Sequence, residues 1–350
     1  MRASIAPPRT SSHAASSFDR AQCRGTSAAA SGGRCVIQNR RPTRRSTVAR
    51  ADVIERPPTS SDDSVERVVA TSSSNPIVVL PGFGNESADY STALGADKAS
   101  IVKSLKSRGF DVHVTRVERK DWFIGIFRGL LTRGFWMNAC TTKEVYGWYL
   151  ARVDEAVTEA LRANPDKTQV DLVAHSAGGW LARAFIGGAL ALNEPGVECD
   201  GDCMTRESRV ASLTCLGTPH TQDARSDPTR GASQWVNDTW PGAYFDPDVK
   251  YTCVTGRSVV GNASADKGTI GKYSAGSYAV VAGGTGDGVE GDAVVPNSSA
   301  LSLEGAEKII IDGCWHSMST VGTFDEAARY PWYGADDVVD QWLGVLRRNA

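Results

Sequence analysis

Apolar residues fall in short blocks along this chain, and the blocks are of two kinds. NPIVVLPGFGN (75–85), FDVHVTRV (110–117), the first half of VDLVAHSAGGW (170–180), RVASLTCLGTP (209–219), YTCVTGRS (251–258) and EKIIIDGCWHS (307–317) hold short apolar runs rich in β-branched residues. Most of them end in Gly or Pro turns, as strands do. Between them lie segments with helical spacing. In 93–108, Ile101, Val102 and Leu105 share a face, and Gly109 is a stop. KEVYGWYLARVDEAVTEALRANP (143–165) reads as one long amphipathic helix ended by Asn164-Pro165. Further helices are predicted from Trp180 to Leu192 and from Ala335 to Arg348. Strands alternating with helices predict an α/β fold, with a mostly parallel sheet covered by helices on both faces. Such sheets carry their sites at the carboxyl ends of the strands.

Composition changes this picture mainly at the N-terminus. Residues 1–50 hold ten Arg, eight Ser, nine Ala and one acidic residue, Asp19. A basic, Ser-rich, acid-poor segment with no apolar core fits an organelle transit peptide better than a secretory signal. Its Ala and Ser content and the run RRSTVARAD favour a plastid over a mitochondrion, with cleavage near Val48-Ala49-Arg50-Ala51. The plainer reading is a disordered basic tail. Residues 51–74, rich in Ser, Thr, Pro and acid, read as a linker, and residues 75–350 as one domain. The whole chain is 41% hydrophobic and 22% charged, with a net charge of −2. That balance gives no reason to expect nucleic acid as a partner. No uncharged apolar run reaches the ~18 residues of a membrane span.

Eight cysteines are present. Cys199 and Cys203 lie in the polar stretch VECDGDC, where no Cys or His pair completes a zinc set. Unpaired thiols are the preferred reading there, with a loop disulfide as the other. Cys215 and Cys253 lie in strand-like runs and are expected in the core.

Ser176 follows a predicted strand and precedes a predicted helix, in Ala174-His175-Ser176-Ala177-Gly178. This approximates the G-x-S-x-G elbow, with Ala174 in place of the first glycine. The plainer reading is a helix-capping serine. A nucleophilic serine needs an imidazole base. His175 adjoins Ser176 and should point to the other side of the turn, and His220 in LGTPH suits a structural role at the site edge. His316, in the loop after the last strand, remains as the base. The acid is sought between Ser176 and His316, in GTGDGVEGDAVVP. Asp292 is preferred to Asp287 because an extended run leads away from it, and Asp312 lies too close to His316 in the chain. Backbone N–H groups of Phe83, in the PGFGN loop, and of Ala177 are the expected oxyanion donors.

With LPGFGN, VAHSAGGWLAR, LGTPH, GDAVVP and DGCWHS in this order, the chain resembles the α/β-hydrolase superfamily on its lipase and esterase side. It is most similar to plastid-predicted α/β-hydrolases of plants and algae, over about Pro76 to Leu343. A broader similarity reaches GPI inositol-deacylases. The resemblance implies an α/β-hydrolase fold, with Ser176, Asp292 and His316 as the triad and no metal or organic cofactor. Ala293 departs from the glycine usual in that family.

Two aromatic segments bear on the substrate. DWFIGIFRGLLTRGFWMN (121–138), with Trp122 and Phe123, reads either as helix core or as an acyl pocket or lid. Residues 222–248, with Trp235, read as an insertion over the site, a small cap whose exposed aromatics would meet lipid. The expected function is a serine carboxylic-ester hydrolase for hydrophobic or lipid acyl groups, soluble or in peripheral contact with a membrane. An acyltransferase using the same triad and a non-catalytic ligand-binding protein are the alternatives.

Overall fold

The computed structural model describes residues 74–92, 99–193, 203–317 and 331–348. The transit-peptide reading of residues 1–50 therefore lies outside the described residues, as does nearly all of the linker. The central sheet has six strands: β1 (Ile77–Leu80), β2 (Val112–Val114), β3 (Val170–His175), β4 (Val210–Leu216), β5 (Lys250–Arg257) and β8 (Glu307–Asp312). Their order is β2-β1-β3-β4-β5-β8, and every neighbouring pair runs parallel. Two short strands, β6 (Val259–Val260) and β7 (Glu290–Gly291), pair antiparallel beside it.

Strand pleating explains why the inner strands read as continuous apolar runs. Ile77 and Val79 join a core layer with Ile101, Leu105, Val338 and Trp342, while Val78 and Leu80 join the opposite layer with Tyr149, Leu150, Leu181 and Phe185. Side chains alternate between faces, and helices cover both faces, so neither set meets water.

The helices depart from the predicted spans for local reasons. The 143–165 segment breaks into α5 (Thr142–Val145) and α6 (Gly147–Ala163). Thr141 and Glu144 close a capping box at the start of α5, and Tyr146 leaves helical geometry at ψ 1°. Asn193 lies so close to Gly147 that a Cβ there would meet its Oδ1 at 2.2 Å. The helix after Ser176, α7 (Ala177–Ile186), stops at a Gly pair, and Ala189–Asn193 continue as a 3₁₀ turn. Gly188 has φ +85°, which a side chain rarely tolerates. Residues 121–138 form α3 (Arg119–Gly129) and α4 (Arg133–Trp136). Near the first loop, α1 (Ser87–Ser91) precedes the segment in which a helix was expected over 93–108; there α2 (Ile101–Lys106) carries Ile101, Val102 and Leu105, while residues 93–98 lie outside the described residues.

The 222–248 segment differs from the exposed aromatic cap that was expected. Helix α8 (Ala232–Thr239) sends Ala232 and Val236 into the main core, Trp240 just past its end joins them, and Tyr244 is the segment's one large exposed aromatic. Buried Arg183 of α7 fastens it by donating to Asn237 Oδ1 and to the Trp240 carbonyl, each at 2.6 Å. Helix α9 (Ile270–Ala282) was not predicted, because its Gly, Ser and Ala positions blunt the helical pattern. Short helix α10 (Asn297–Ala300) precedes β8, and helices Asp336–Trp342 and Gly344–Arg348 close the described chain.

Cys203 is disulfide-bonded, which overturns the preference for an unpaired thiol at that position; Cys199 lies outside the described residues. Cys215 and Cys253 are buried register partners in β4 and β5.

Candidate active site

The strand order reverses at β1, since the chain steps outward to β2 and then back past β1 to β3. A crevice opens at such a point beyond the strand ends. Ser176 sits there, at the tip of β3, with φ 52° and ψ −127°. This conformation costs a non-glycine residue roughly 1–3 kcal/mol. The surroundings enforce it. Ser176 N–H donates to Leu216 O at 2.9 Å, and Thr218 Oγ1 donates to Ser176 O at 2.8 Å. The turn has no room for larger neighbours. A Cβ at Gly178 would meet Leu80 O at 2.8 Å, and one at Gly179 would meet Thr218 Oγ1 at 2.0 Å. Ala174, at the other end of the pentapeptide, is packed in the core, where its methyl is accommodated.

Asp292 and His316 meet although the chain separates them by a strand and several turns. His316 Nδ1 lies 2.7 Å from Asp292 Oδ2, and His316 N–H donates to the Asp292 carbonyl at 2.8 Å. Tyr333 donates its hydroxyl proton to Asp292 Oδ2 at 2.6 Å, while Val294 and Val295 N–H groups donate to Oδ1 at 3.1 and 2.7 Å. Burial opposes ionisation of this carboxyl, but the His316 charge and these donors prevail and hold it below the ordinary aspartate range. The Asp292–His316 hydrogen bond leaves Nε2 as the free nitrogen of the His316 ring. Ala293 adopts φ +82°, the left-handed region, which is where the resembled family's glycine would sit without strain. Its N–H is held by Tyr278 Oη of α9 at 2.9 Å.

Asp287 lies elsewhere, accepting from Ala263 N–H in an exposed turn, and Asp312 pairs with Arg257 at the surface. His220 is buried against Cys253, with 3.3 Å between Nε2 and Sγ.

His175 does point away from Ser176, as expected, but into a network that was not foreseen. Its Nε2 lies 2.8 Å from the His316 carbonyl, which can only accept, so Nε2 carries the proton. Nδ1 then accepts the Tyr90 hydroxyl proton at 2.7 Å. Tyr90 Oη in turn accepts from Gly82 N–H at 2.8 Å and Asn85 Nδ2 at 3.0 Å. Tyr90, Trp332, Tyr333 and His316 rings surround this imidazole. Burial pushes its pKa down to about 3, so it stays neutral. One uncharged chain of hydrogen bonds thus joins the first loop to the backbone of His316.

That loop presses directly on the elbow. A Cβ at Gly82 would stand 2.7 Å from the Ser176 Cβ. Trp122 Nε1 donates to Asn85 O at 2.9 Å and braces the loop from behind. Among the described residues, the Phe83 and Ala177 N–H groups have no hydrogen-bond acceptor, and no hydrogen bond joins the Ser176 hydroxyl to His316.

Beside the loop lies a cavity of about 500 Å³, lined by Phe83, Ile126, Phe135, Val145 and Tyr146 and by residues 224–230. Trp122, Phe123 and Trp235 do not line it. Trp122 is core, Phe123 is exposed, and Trp235 packs edge-on to Trp240. The 121–138 segment does supply cavity wall, through Ile126 and Phe135, but its meeting with Phe83 and the 224–230 loop is not readable from residues so far apart in the chain.

A protein-family model described as "Alpha/beta hydrolase family" matches residues 77–330. The chain belongs to this family. The match covers every strand of the sheet and all of the residues just described except Tyr333 and Trp332. No curated protein matches the chain. Among solved structures, the alpha/beta hydrolase chain is similar to the mature lipase BlEst2 from Bacillus licheniformis, at 14% identity, with 79% of this chain and 93% of that one covered and a TM-score of 0.46. It is similar to a dienelactone hydrolase from Anabaena variabilis, at 16% identity, 79% and 87% coverage and a TM-score of 0.36. It is similar also to phospholipase PlaB from Legionella pneumophila, at 11% identity, 78% and 62% coverage and a TM-score of 0.39. These likenesses are distant, and the assignment rests on the family match.

Proposed function

We propose that this protein is a serine hydrolase of carboxylic esters, with Ser176 as nucleophile, His316 as base and Asp292 as the orienting acid. The observation that carries the reading is the buried 2.7 Å Asp292–His316 pair at the same sheet edge as a serine in strained elbow geometry. In this reading His316 Nε2 takes the Ser176 proton as Oγ attacks the ester carbonyl. The new C–O bond gives a tetrahedral oxyanion, which the free Phe83 and Ala177 N–H groups receive. His316 returns the proton to the leaving alcohol, and water then repeats the sequence on the acyl-enzyme. Catalytic hydrogen bonds are often long before substrate arrives, so an open Ser176–His316 contact suits a resting site.

The substrate side of the reading is an ester of a hydrophobic acyl group. Its support is the apolar part of the cavity beside Phe83, formed by Ile126, Phe135, Val145 and Tyr146, while Asn138 and the Arg225–Arg230 stretch make the rest of the lining largely polar. Such esters reside in lipid surfaces, so the reading includes peripheral membrane contact; among the described residues no helix is long and apolar enough to cross a membrane. We place the protein in a plastid on the composition of residues 1–50, and a fluorescent fusion of that segment that stays in the cytosol would refute the placement.

The test of the chemistry is labelling by a fluorophosphonate probe. Wild type should label, and Ser176→Ala, His316→Ala and Gly82→Ala should lose most or all labelling while keeping the fold. Undiminished labelling of Ser176→Ala, or none of wild type, would remove the proposed nucleophile. Product analysis with competing alcohols separates a hydrolase from an acyltransferase.

A further inference from the structure

Helix α3 has two unlike faces. Trp122, Gly125 and Gly129 are buried, and a Cβ at Gly125 would stand 2.5 Å from Trp148 Nε1, so the helix is pressed hard onto the domain. Its outer side is apolar as well. Phe123 and Phe127, one turn apart, are 70% and 64% exposed, and Leu131 and Trp136 just beyond are 77% and 71% exposed. Ile124 and Met137 are exposed too. The Trp136 indole is held in place, its Nε1 donating to Leu130 O at 2.9 Å. Large apolar groups standing together in water are the mark of a surface that another phase covers.

Charge indicates which phase. No Asp or Glu occurs from Trp122 to Lys143, while Arg128 and Arg133 fall inside the exposed stretch. Neither arginine has an ion-pair partner among the described residues, whereas neighbouring Arg119 pairs with Glu86 and Asp89. Two copies of this face brought together would oppose arginine to arginine. An anionic bilayer answers both features, accepting the rings and aliphatic groups among its acyl chains and the guanidinium groups among its headgroups. The same two helices also connect that surface to the cavity. Ile126 of α3 and Phe135 of α4 line it, and Phe83 at its wall stacks edge-on to Trp122 at 5.2 Å.

We propose that α3, α4 and the link between them form a docking surface for a membrane bearing anionic lipid, which delivers a lipid ester to the adjoining cavity. This deepens the ester-hydrolase reading and rests on it only for the delivery step.

The test is co-sedimentation of the full chain with vesicles of phosphatidylcholine alone or mixed with phosphatidylglycerol. The basic N-terminal segment is common to all variants, so the comparison among variants carries the result. Phe127→Ser with Leu131→Ser should lower partitioning by about tenfold or more, because both side chains lose their apolar burial in the bilayer. Both are exposed, so the melting temperature should hold. Arg128→Gln and Arg133→Gln should each lower partitioning on the mixed vesicles by roughly fivefold, and much less on phosphatidylcholine. Ser176→Ala should bind like wild type and fail to label, which separates the docking claim from the catalytic one. Equal sedimentation of wild type and the apolar double variant would overturn the proposal. So would a wild-type dimer that this variant splits, found together with no vesicle binding, since the patch would then be a contact between copies.

Discussion

Replacing Tyr90 by Phe removes one oxygen from the centre of the site and leaves the ring, which still packs against His175 and Trp332. The hydroxyl makes three hydrogen bonds: it accepts from Gly82 N–H and Asn85 Nδ2, and it donates to His175 Nδ1. Asn85 is partly exposed and can turn to water. The other two bonds are buried, so the variant leaves one donor and one acceptor unsatisfied. Each such group costs about 1–3 kcal/mol, which gives a loss of roughly 2–6 kcal/mol for the pair. A domain of this size holds about 5–15 kcal/mol, so it should remain folded, with a melting temperature lower by roughly 5–15 °C. Activity should fall further than stability alone explains. The lost bond to Gly82 releases the loop that carries Phe83, and the change at His175 loosens its hold on the His316 carbonyl. Urea unfolding monitored by tryptophan fluorescence measures the first effect. The kcat for a short soluble ester, with KM followed separately, measures the second and should drop about tenfold with little change in KM. A variant within ~0.5 kcal/mol of wild type and equal to it in kcat would refute the proposed link between first loop and histidine.

Other consequences can be measured in the same way. His175 is neutral when folded, with its pKa pushed by burial from 6.5 to about 3, so the unfolded chain binds the extra proton between those values. Its contribution is complete above pH ~6.5 and falls by about 1.4 kcal/mol per unit as pH drops toward 3. This slope is best read as the difference between wild type and His175→Gln, because buried Asp171, pushed up to about 6, titrates with the opposite sign in the same range and cancels; an identical pH slope in the two proteins would refute it. Gly82→Ala places a methyl 2.7 Å from the Ser176 Cβ and 3.1 Å from the His175 carbonyl. It should cost about a hundredfold in kcat by displacing one oxyanion donor, and an unimpaired variant would show that the loop is not held there. Ala293→Gly relieves φ +82° but loses a buried methyl and gains chain entropy, so stability should change by no more than ~1 kcal/mol. Ala293→Val should instead cost more than ~2 kcal/mol in chemical denaturation, and a tolerated valine would exclude that backbone geometry.

Much of the architecture was legible because parallel strands buried on both faces must be apolar throughout. The runs at 77–80, 170–175 and 210–216 therefore announced the sheet and the strand end where Ser176 stands. The small residues Gly82, Gly178 and Gly179 marked places where backbones touch; chain order with elimination among the histidines led to His316, and the extended run after Asp292, together with the family resemblance, favoured it over Asp287. Spacing could say nothing about contacts between distant residues. Whether residues of 121–138 join the core, line a pocket or face solvent depends on how α3 and α4 meet their neighbours, and only packing shows that Trp122 does the first, Ile126 and Phe135 the second, and Phe123 and Phe127 the third. The same is true of His175. A histidine beside a serine carries no sign of its partner, and its role came from the meeting of Tyr90, 85 residues earlier, with the His316 carbonyl, 141 residues later. Local pattern determines which elements form and which faces they bury; hydrogen-bond partners brought together by long loops are set only once the chain has closed around them.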